Sequence, residues 1–140
     1  MTARSKTLFC GLSILMIFLA GCNEDFSSQK DSCDLSAVVA HKMIQDNINN
    51  PDFVIIDVRS EDDFKREHLK NAVNIRYTDS DYNEVMQQNG KEKMYLFYCL
   101  SGVSSRIAMQ KLMPFGFHKI YNLEGGIMDW KDAGFEVITE

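Results

Sequence analysis

The sequence lacks the patterns that would place it in several large functional classes. It holds no Cys-x-x-Cys pair and no metal-ligand spacing of Cys and His, which argues against dithiol redox chemistry and structural zinc. A surplus of positive charge is also missing: 15 Lys and Arg stand against 20 Asp and Glu, a net charge of -5. Nucleic-acid binding draws on basic patches that displace counterions, so this balance argues against it. There is no internal repeat or low-complexity tract. The 45% hydrophobic and 25% charged residues are ordinary for a globular chain, and 140 residues leave room for one domain.

A long hydrophobic run is absent as well. The apolar stretch from Leu8 to Ala20, 13 residues behind Arg4 and Lys6, is too short to span a bilayer comfortably and reads as a signal peptide. Its end, Leu19-Ala20-Gly21-Cys22, resembles the bacterial lipoprotein processing site. That resemblance implies cleavage before Cys22, which would become the first mature residue and carry lipid. The alternatives are an uncleaved anchor helix and plain secretion. Removing residues 1–22 takes away two basic residues and no acids, leaving 13 basic against 20 acidic residues and a net charge of -7. Several acyl chains would tether the domain outside the cytoplasm, since each buried methylene contributes about 0.8 kcal/mol. Asn23 after the lipidated position hints at the periplasmic side of an outer membrane. Residues 23–33, polar and serine-bearing, read as a flexible tether to a domain at 34–140.

Of four cysteines, Cys10 falls in the leader and Cys22 would be a thioether, so Cys33 and Cys99 are the mature thiols. An extracytoplasmic setting keeps a Cys33–Cys99 disulfide open as an alternative to a free Cys99.

The hydrophobic pattern alternates short strands with helices. A helix is expected over 35–47, capped by Asp34 or Ser36, with Leu35, Val38, Val39 and Met43 as its apolar stripe. A strand follows at Phe53 to Asp57. Ser60 and Asp63 make a capping-box-like start to a short helix that ends near Glu67 and buries Phe64. An extended segment at 72–75, a helix over 80–88 and a strand over 94–98 come next. A helix over 104–113 stopped by Pro114 and Gly116, a strand over 119–123 and a helix over 127–132 complete the pattern. The implied fold is α/β, a central mainly parallel sheet with helices on both faces, where ligands bind at the carboxyl ends of the strands.

Cys99 stands at such an end. It follows the apolar strand Met94 to Tyr98 and precedes Gly102, which can take a positive φ, and the cap-type residues Ser104 and Ser105. Loop and helix-terminal amides there would converge on its sulfur, and the helix dipole adds about half a positive charge. Both lower a thiol pKa. The plainer reading of Cys99 is a small buried hydrophobe.

The segment Cys99-Leu100-Ser101-Gly102-Val103-Ser104-Ser105 resembles the active-site loop of the rhodanese-like sulfurtransferases. Phe53 to Arg59 is similar to that family's strand ending in Asp-Val-Arg, and Ser60 to Phe64 with His68, Ala72, Asn74 and Ile75 to the segment after it. Tyr121 to Trp130 resembles its closing Gly-Gly-to-Trp motif. The resemblance covers about residues 34 to 140 and implies a single rhodanese-like domain. Cys99 would accept a sulfane sulfur, for example from thiosulfate, as a persulfide and pass it to a thiophilic acceptor such as cyanide or a thiol. Leu100, Ser101, Gly102, Val103, Ser104, Ser105 and Arg106 would bind substrate. Neither metal nor other cofactor is required, and a protein partner is left unspecified.

The loop departs from the family pattern at Ser104, where many relatives carry arginine, and at the apolar Leu100; weaker use of thiosulfate, or a different donor, is the implied consequence. A cysteine phosphatase or arsenate reductase would need Cys-x5-Arg, but Ser105 holds that position and Arg106 comes one residue late. The non-enzyme alternative is a sulfane-sulfur carrier or interaction module with the same fold. Asp57 and Arg59 read as a structural pair and His68 as a structural or rim histidine. His41 and His118 are expected at the surface, Trp130 in the core, and Glu61-Asp62-Asp63 as a solvated helix start.

Overall fold

A computed structural model of the chain describes residues 32–139, with side chains from Asp34 onward. The expected leader, Cys22 and the tether up to residue 31 lie outside the described residues. Five parallel strands form one sheet in the order β1-β5-β4-β2-β3. They are β1 (Ser32–Leu35), β2 (Phe53–Asp57), β3 (Ala72–Asn74), β4 (Met94–Tyr98) and β5 (Ile120–Leu123). The helices are α1 (Ala37–Asp46), α2 (Glu61–Arg66), α3 (Tyr82–Asn89), α4 (Val103–Leu112) and α5 (Gly126–Asp132), with a 3₁₀ turn at Met113–Phe115.

Side chains alternate across a strand, so each strand feeds two cores. On one face Ile56, Tyr95, Phe97, Cys99 and Ile120 pack with Tyr82 and Met86 of α3 and Ala108, Met109 and Leu112 of α4. On the other, Ile55, Leu96, Tyr98 and Leu123 pack with Ala37 and Ala40 of α1 and Ile127 and Trp130 of α5. Fully burying an aliphatic or aromatic side chain is worth roughly 1.5–3 kcal/mol. A central strand such as β4 can be apolar almost throughout because both its faces are covered.

The expected elements are present, with informative exceptions. Chain order β1 was read as tether and helix start, yet Ser32 to Leu35 pair with Ile120 to Leu123. The helix begins only after Ser36, whose side chain caps it by accepting from the Val39 amide at 3.5 Å. The stripe of α1 is therefore rotated: Ala37 and Ala40 are buried, while Val38 and Val39 are exposed. Ser60 caps α2 as expected, accepting from the Asp63 amide and donating to its carboxylate at 2.7 Å. Phe64 is half-buried rather than core, stacked on His68 at 4.0 Å between centroids. His118 is exposed, but His41 is half-buried, stacked on Phe135 at 4.0 Å and tilted against Trp130. Among the described residues no helix is long and apolar enough to cross a membrane.

Candidate active site

β2 and β4 end side by side, with Asp57 opposite Tyr98, and the loops beyond them enclose the site. Asp57 is fully buried and ties the first loop. Its Oδ1 accepts from the Arg59 amide at 2.9 Å, and its carboxylate accepts from Arg59 Nε and Nη2, the shortest contact being 2.7 Å. Arg59 also donates to the Glu67 carbonyl at 2.6 Å. His68 is buried, with Nδ1 2.9 Å from the Phe64 carbonyl oxygen. Asp57 and His68 act as structural residues, as expected, while Arg59 also lines the cavity beside Cys99.

Cys99 follows β4 as a free thiol, while the side chain of Cys33, its alternative disulfide partner, lies outside the described side chains. Its side chain packs on the face of Tyr95 and Phe97, only 3% exposed, but it also reaches the wall of a cavity of about 370 Å³. It is thus at once a core residue and the floor of an opening. The loop turns at Gly102, φ 82°, where a Cβ would stand 2.9 Å from the Gly125 nitrogen and the Leu123 oxygen. Only glycine satisfies both the left-handed backbone and that close approach.

Gly102, not a serine, is the residue preceding α4. This corrects the expected capping by Ser104 or Ser105 and frees both side chains. The Gly102 amide donates to Cys99 Sγ at 3.1 Å, and Ser105 Oγ lies 3.4 Å from the same sulfur. Burial works against ionisation of Cys99. The Ser105 hydroxyl and the Ser105, Ser101 and Gly102 amides outweigh it and hold the thiol below its ordinary pKa. The Cys99 and Leu100 carbonyls turn the other way and accept from the Ile127 and Met128 amides at 2.9 and 3.2 Å. The N-terminus of α5 thus fixes the loop so that its amides, rather than its carbonyls, meet the sulfur.

The expected site residues divide. Leu100, Ser101 and Ser104 share the cavity wall with Cys99, and Gly102 and Ser105 act from beneath. Val103 is exposed and Arg106 pairs with Asp34, Nη2 to Oδ2 at 2.8 Å; neither is part of the cavity wall. Other residues were missed. Arg76, just after β3, lines the cavity with Arg59 and Asp63. Asn122 of β5 is fully buried beside Ser105 and joins it to Asp34.

The arrangement suits nucleophilic chemistry at sulfur. A thiolate held by amides can attack, and a sulfur added to it would remain within reach of the same donors.

Comparisons with known proteins agree with this geometry. The Rhodanese-like domain family matches residues 40–133. The chain is 34% identical over 93 residues to the thiosulfate sulfurtransferase GlpE of Coxiella burnetii, covering 66% of this chain and 85% of that protein. It is 29% identical over 96 residues to the tRNA uridine(34) hydroxylase of Hamiltonella defensa, covering 65% of this chain but only 26% of that one. A crystal structure of a rhodanese-related protein from Thermoplasma volcanium superposes with a TM-score of 0.63 at 26% identity, covering 76% of this chain and 98% of the other. With the matched segment spanning β2 to α5 and containing the Cys99 loop, the chain belongs to the rhodanese-like domain family.

Proposed function

We propose that this protein is a sulfurtransferase that carries a sulfane sulfur on Cys99. The thiolate attacks the outer sulfur of a donor such as thiosulfate, sulfite leaves with the bonding electron pair, and a Cys99 persulfide forms. A thiophilic acceptor, cyanide or a thiol, then takes the outer sulfur and restores the thiolate. Splitting the transfer in this way predicts ping-pong kinetics. The observation that carries the reading is the set of main-chain amides aimed at Cys99 Sγ where that sulfur meets an open cavity.

Intact and peptide mass spectrometry after incubation with thiosulfate tests it. One added sulfur is expected on Cys99, removable by cyanide and absent from Cys99→Ala. Label on Cys33 alone, or on no residue, refutes the proposal. Steady-state transfer to cyanide, set against stoichiometric loading alone, separates an enzyme from a carrier. The proposal includes a lipid anchor at Cys22 that holds the domain on the periplasmic side of a bacterial membrane, which rests on Leu19 to Cys22 in the sequence. The mass of the mature N-terminal peptide checks it.

A further inference from the structure

The cavity above Cys99 has charged walls, but the charges are already matched. Its two cations are Arg59 and Arg76, and each is engaged by a carboxylate: Arg59 by Asp57 at 2.7 Å, Arg76 by Asp79 at 2.6 Å. The wall also carries a carboxylate of its own, Asp63, paired with Arg66 at 3.0 Å. Three guanidiniums therefore stand against three carboxylates. An entering dianion would give up its hydration without meeting an uncompensated cation, and the Ser101, Gly102 and Ser105 amides already meet the sulfur of Cys99. Between the charged pairs the wall mixes the hydroxyl side chains of Ser60, Thr78, Ser101 and Ser104 with an apolar part made by Val58, Tyr77 and the exposed side chain of Leu100.

We propose that the sulfur donor is an organic molecule carrying carbon beside its sulfane group and no more than one negative charge, an alkyl thiosulfonate or persulfide, in preference to an inorganic dianion. This rests on Cys99 being the sulfur-accepting nucleophile and names the donor class for that site. With methanethiosulfonate, the Cys99 thiolate attacks the terminal sulfane sulfur and forms one S–S bond. The bond from that sulfur to the sulfonyl sulfur breaks, and its electron pair leaves on methanesulfinate. One thiolate and one thiosulfonate become one perthiolate and one sulfinate, so charge balances without an added oxidant. A persulfide donor reacts alike, with a thiolate leaving. The apolar part of the wall, Val58, Tyr77 and Leu100, accommodates the donor's carbon, which a dianion would replace with a charged oxygen.

Methanethiosulfonate and thiosulfate form a matched pair of probes, differing by a methyl group in place of one anionic oxygen. Single-turnover loading of Cys99 on the full chain is measured with each by mass spectrometry. Each rate is divided by that of the same donor with a small free thiol in the same buffer. The normalised rate is expected to favour methanethiosulfonate by about tenfold or more, and added salt should leave thiosulfate loading unchanged or faster. Ser104→Arg puts an unmatched guanidinium on the cavity wall. It should raise the ratio of thiosulfate to methanethiosulfonate loading about tenfold, since the dianion gains more from an added cation than the monoanion does. Equal normalised rates, or thiosulfate loading that salt slows steeply, overturn the proposal without the variant and leave Cys99 transfer standing. If neither probe loads Cys99, both the donor class and the transfer reading fail.

Discussion

Ser105 Oγ donates to Asn122 Oδ1 across 2.6 Å, while Cys99 Sγ lies 3.4 Å from the same hydroxyl. Asn122 cannot reverse that bond, because its Nδ2 hydrogens are taken by Asp34 Oδ1 at 2.8 Å and the Gly102 carbonyl at 3.1 Å. A serine has one hydroxyl proton, so Asn122 and the Cys99 thiolate compete for it. Ionisation of Cys99 draws that proton toward sulfur at the expense of the Asn122 bond.

Opposite responses follow from the two partners. Ser105→Ala removes a donor to the thiolate, and a hydrogen bond to a charged group is worth about 1.5–3 kcal/mol, so alkylation of Cys99 by iodoacetamide at neutral pH should slow about tenfold or more. Asn122→Ala removes the competitor, and the alkylation profile should move to lower pH. Ser105→Thr, which keeps the hydroxyl, should restore the wild-type profile. Profiles displaced in the same direction by both alanine variants would show packing damage instead of competition for a proton.

The pair Asp57 and Arg59 carries the second prediction. Both are nearly inaccessible, with side chains 0% and 8% exposed, so removing the carboxylate leaves a largely buried guanidinium without its charge partner. Asp57→Ala should cost about 3–5 kcal/mol in urea unfolding. Asp57→Ala combined with Arg59→Met should recover part of that loss, since no buried charge then remains. A double variant as unstable as the sum of the singles would assign the loss to the loop amides instead.

How much of this could be read from the sequence depends on how local each cause was. β2 and β4 appear with the expected limits because a short, mostly apolar run has few other solutions once the flanks contain turn residues. β1 was hidden: Ser32 and Asp34 are polar, the strand lies at the sheet edge, and its only pairing is with β5, far along the chain. Val38 and Val39 suited an inward stripe, but the rotation of α1 was set by Ser36 and by packing on α5. At the site, strand, cysteine and glycine were visible in order. Asn122 and Asp34 were not, because their bonds join residues 17 and 88 positions apart. The cap at Ser104 was misread because a left-handed glycine can precede a helix as well as a serine can.

Gly126 tests whether α5 holds the loop. At φ +62° a Cβ would stand 2.5 Å from the Cys99 oxygen and from the Leu100 carbonyl carbon and oxygen, all main-chain atoms that cannot turn aside. Gly126→Ala must push the Cys99–Leu100 backbone away and loosen the bonds from Ile127 and Met128. Sulfur loading should fall about a hundredfold, since displacements near 1 Å carry penalties of that order. The companion Gly134→Ala, also left-handed at φ +81° but with nothing within 4 Å of its Cβ, controls for backbone strain alone. Its loading rate should stay near wild type at a comparable loss of stability.

The lowered thiol pKa of Cys99 gives the last prediction, because a group that ionises more readily when folded couples folding to pH. Burial opposes the lowering, and the hydroxyl of Ser105 and the amides of Ser105, Ser101 and Gly102 overcome it, so the folded value lies below the unfolded one. Between the two values the unfolded chain binds the extra proton, and stability rises with pH. The contribution is complete above the unfolded thiol pKa and is lost as pH falls through the folded one. Urea midpoints of wild type and Cys99→Ala, measured from acid to mildly alkaline pH, isolate it, since other titrating groups are common to both. The difference between wild type and Cys99→Ala should be a constant packing offset in acid and grow in favour of wild type as pH rises from the folded toward the unfolded thiol pKa. A constant difference between the two proteins would mean that the fold does not favour the thiolate, leaving Cys99 without the activation that sulfur transfer needs.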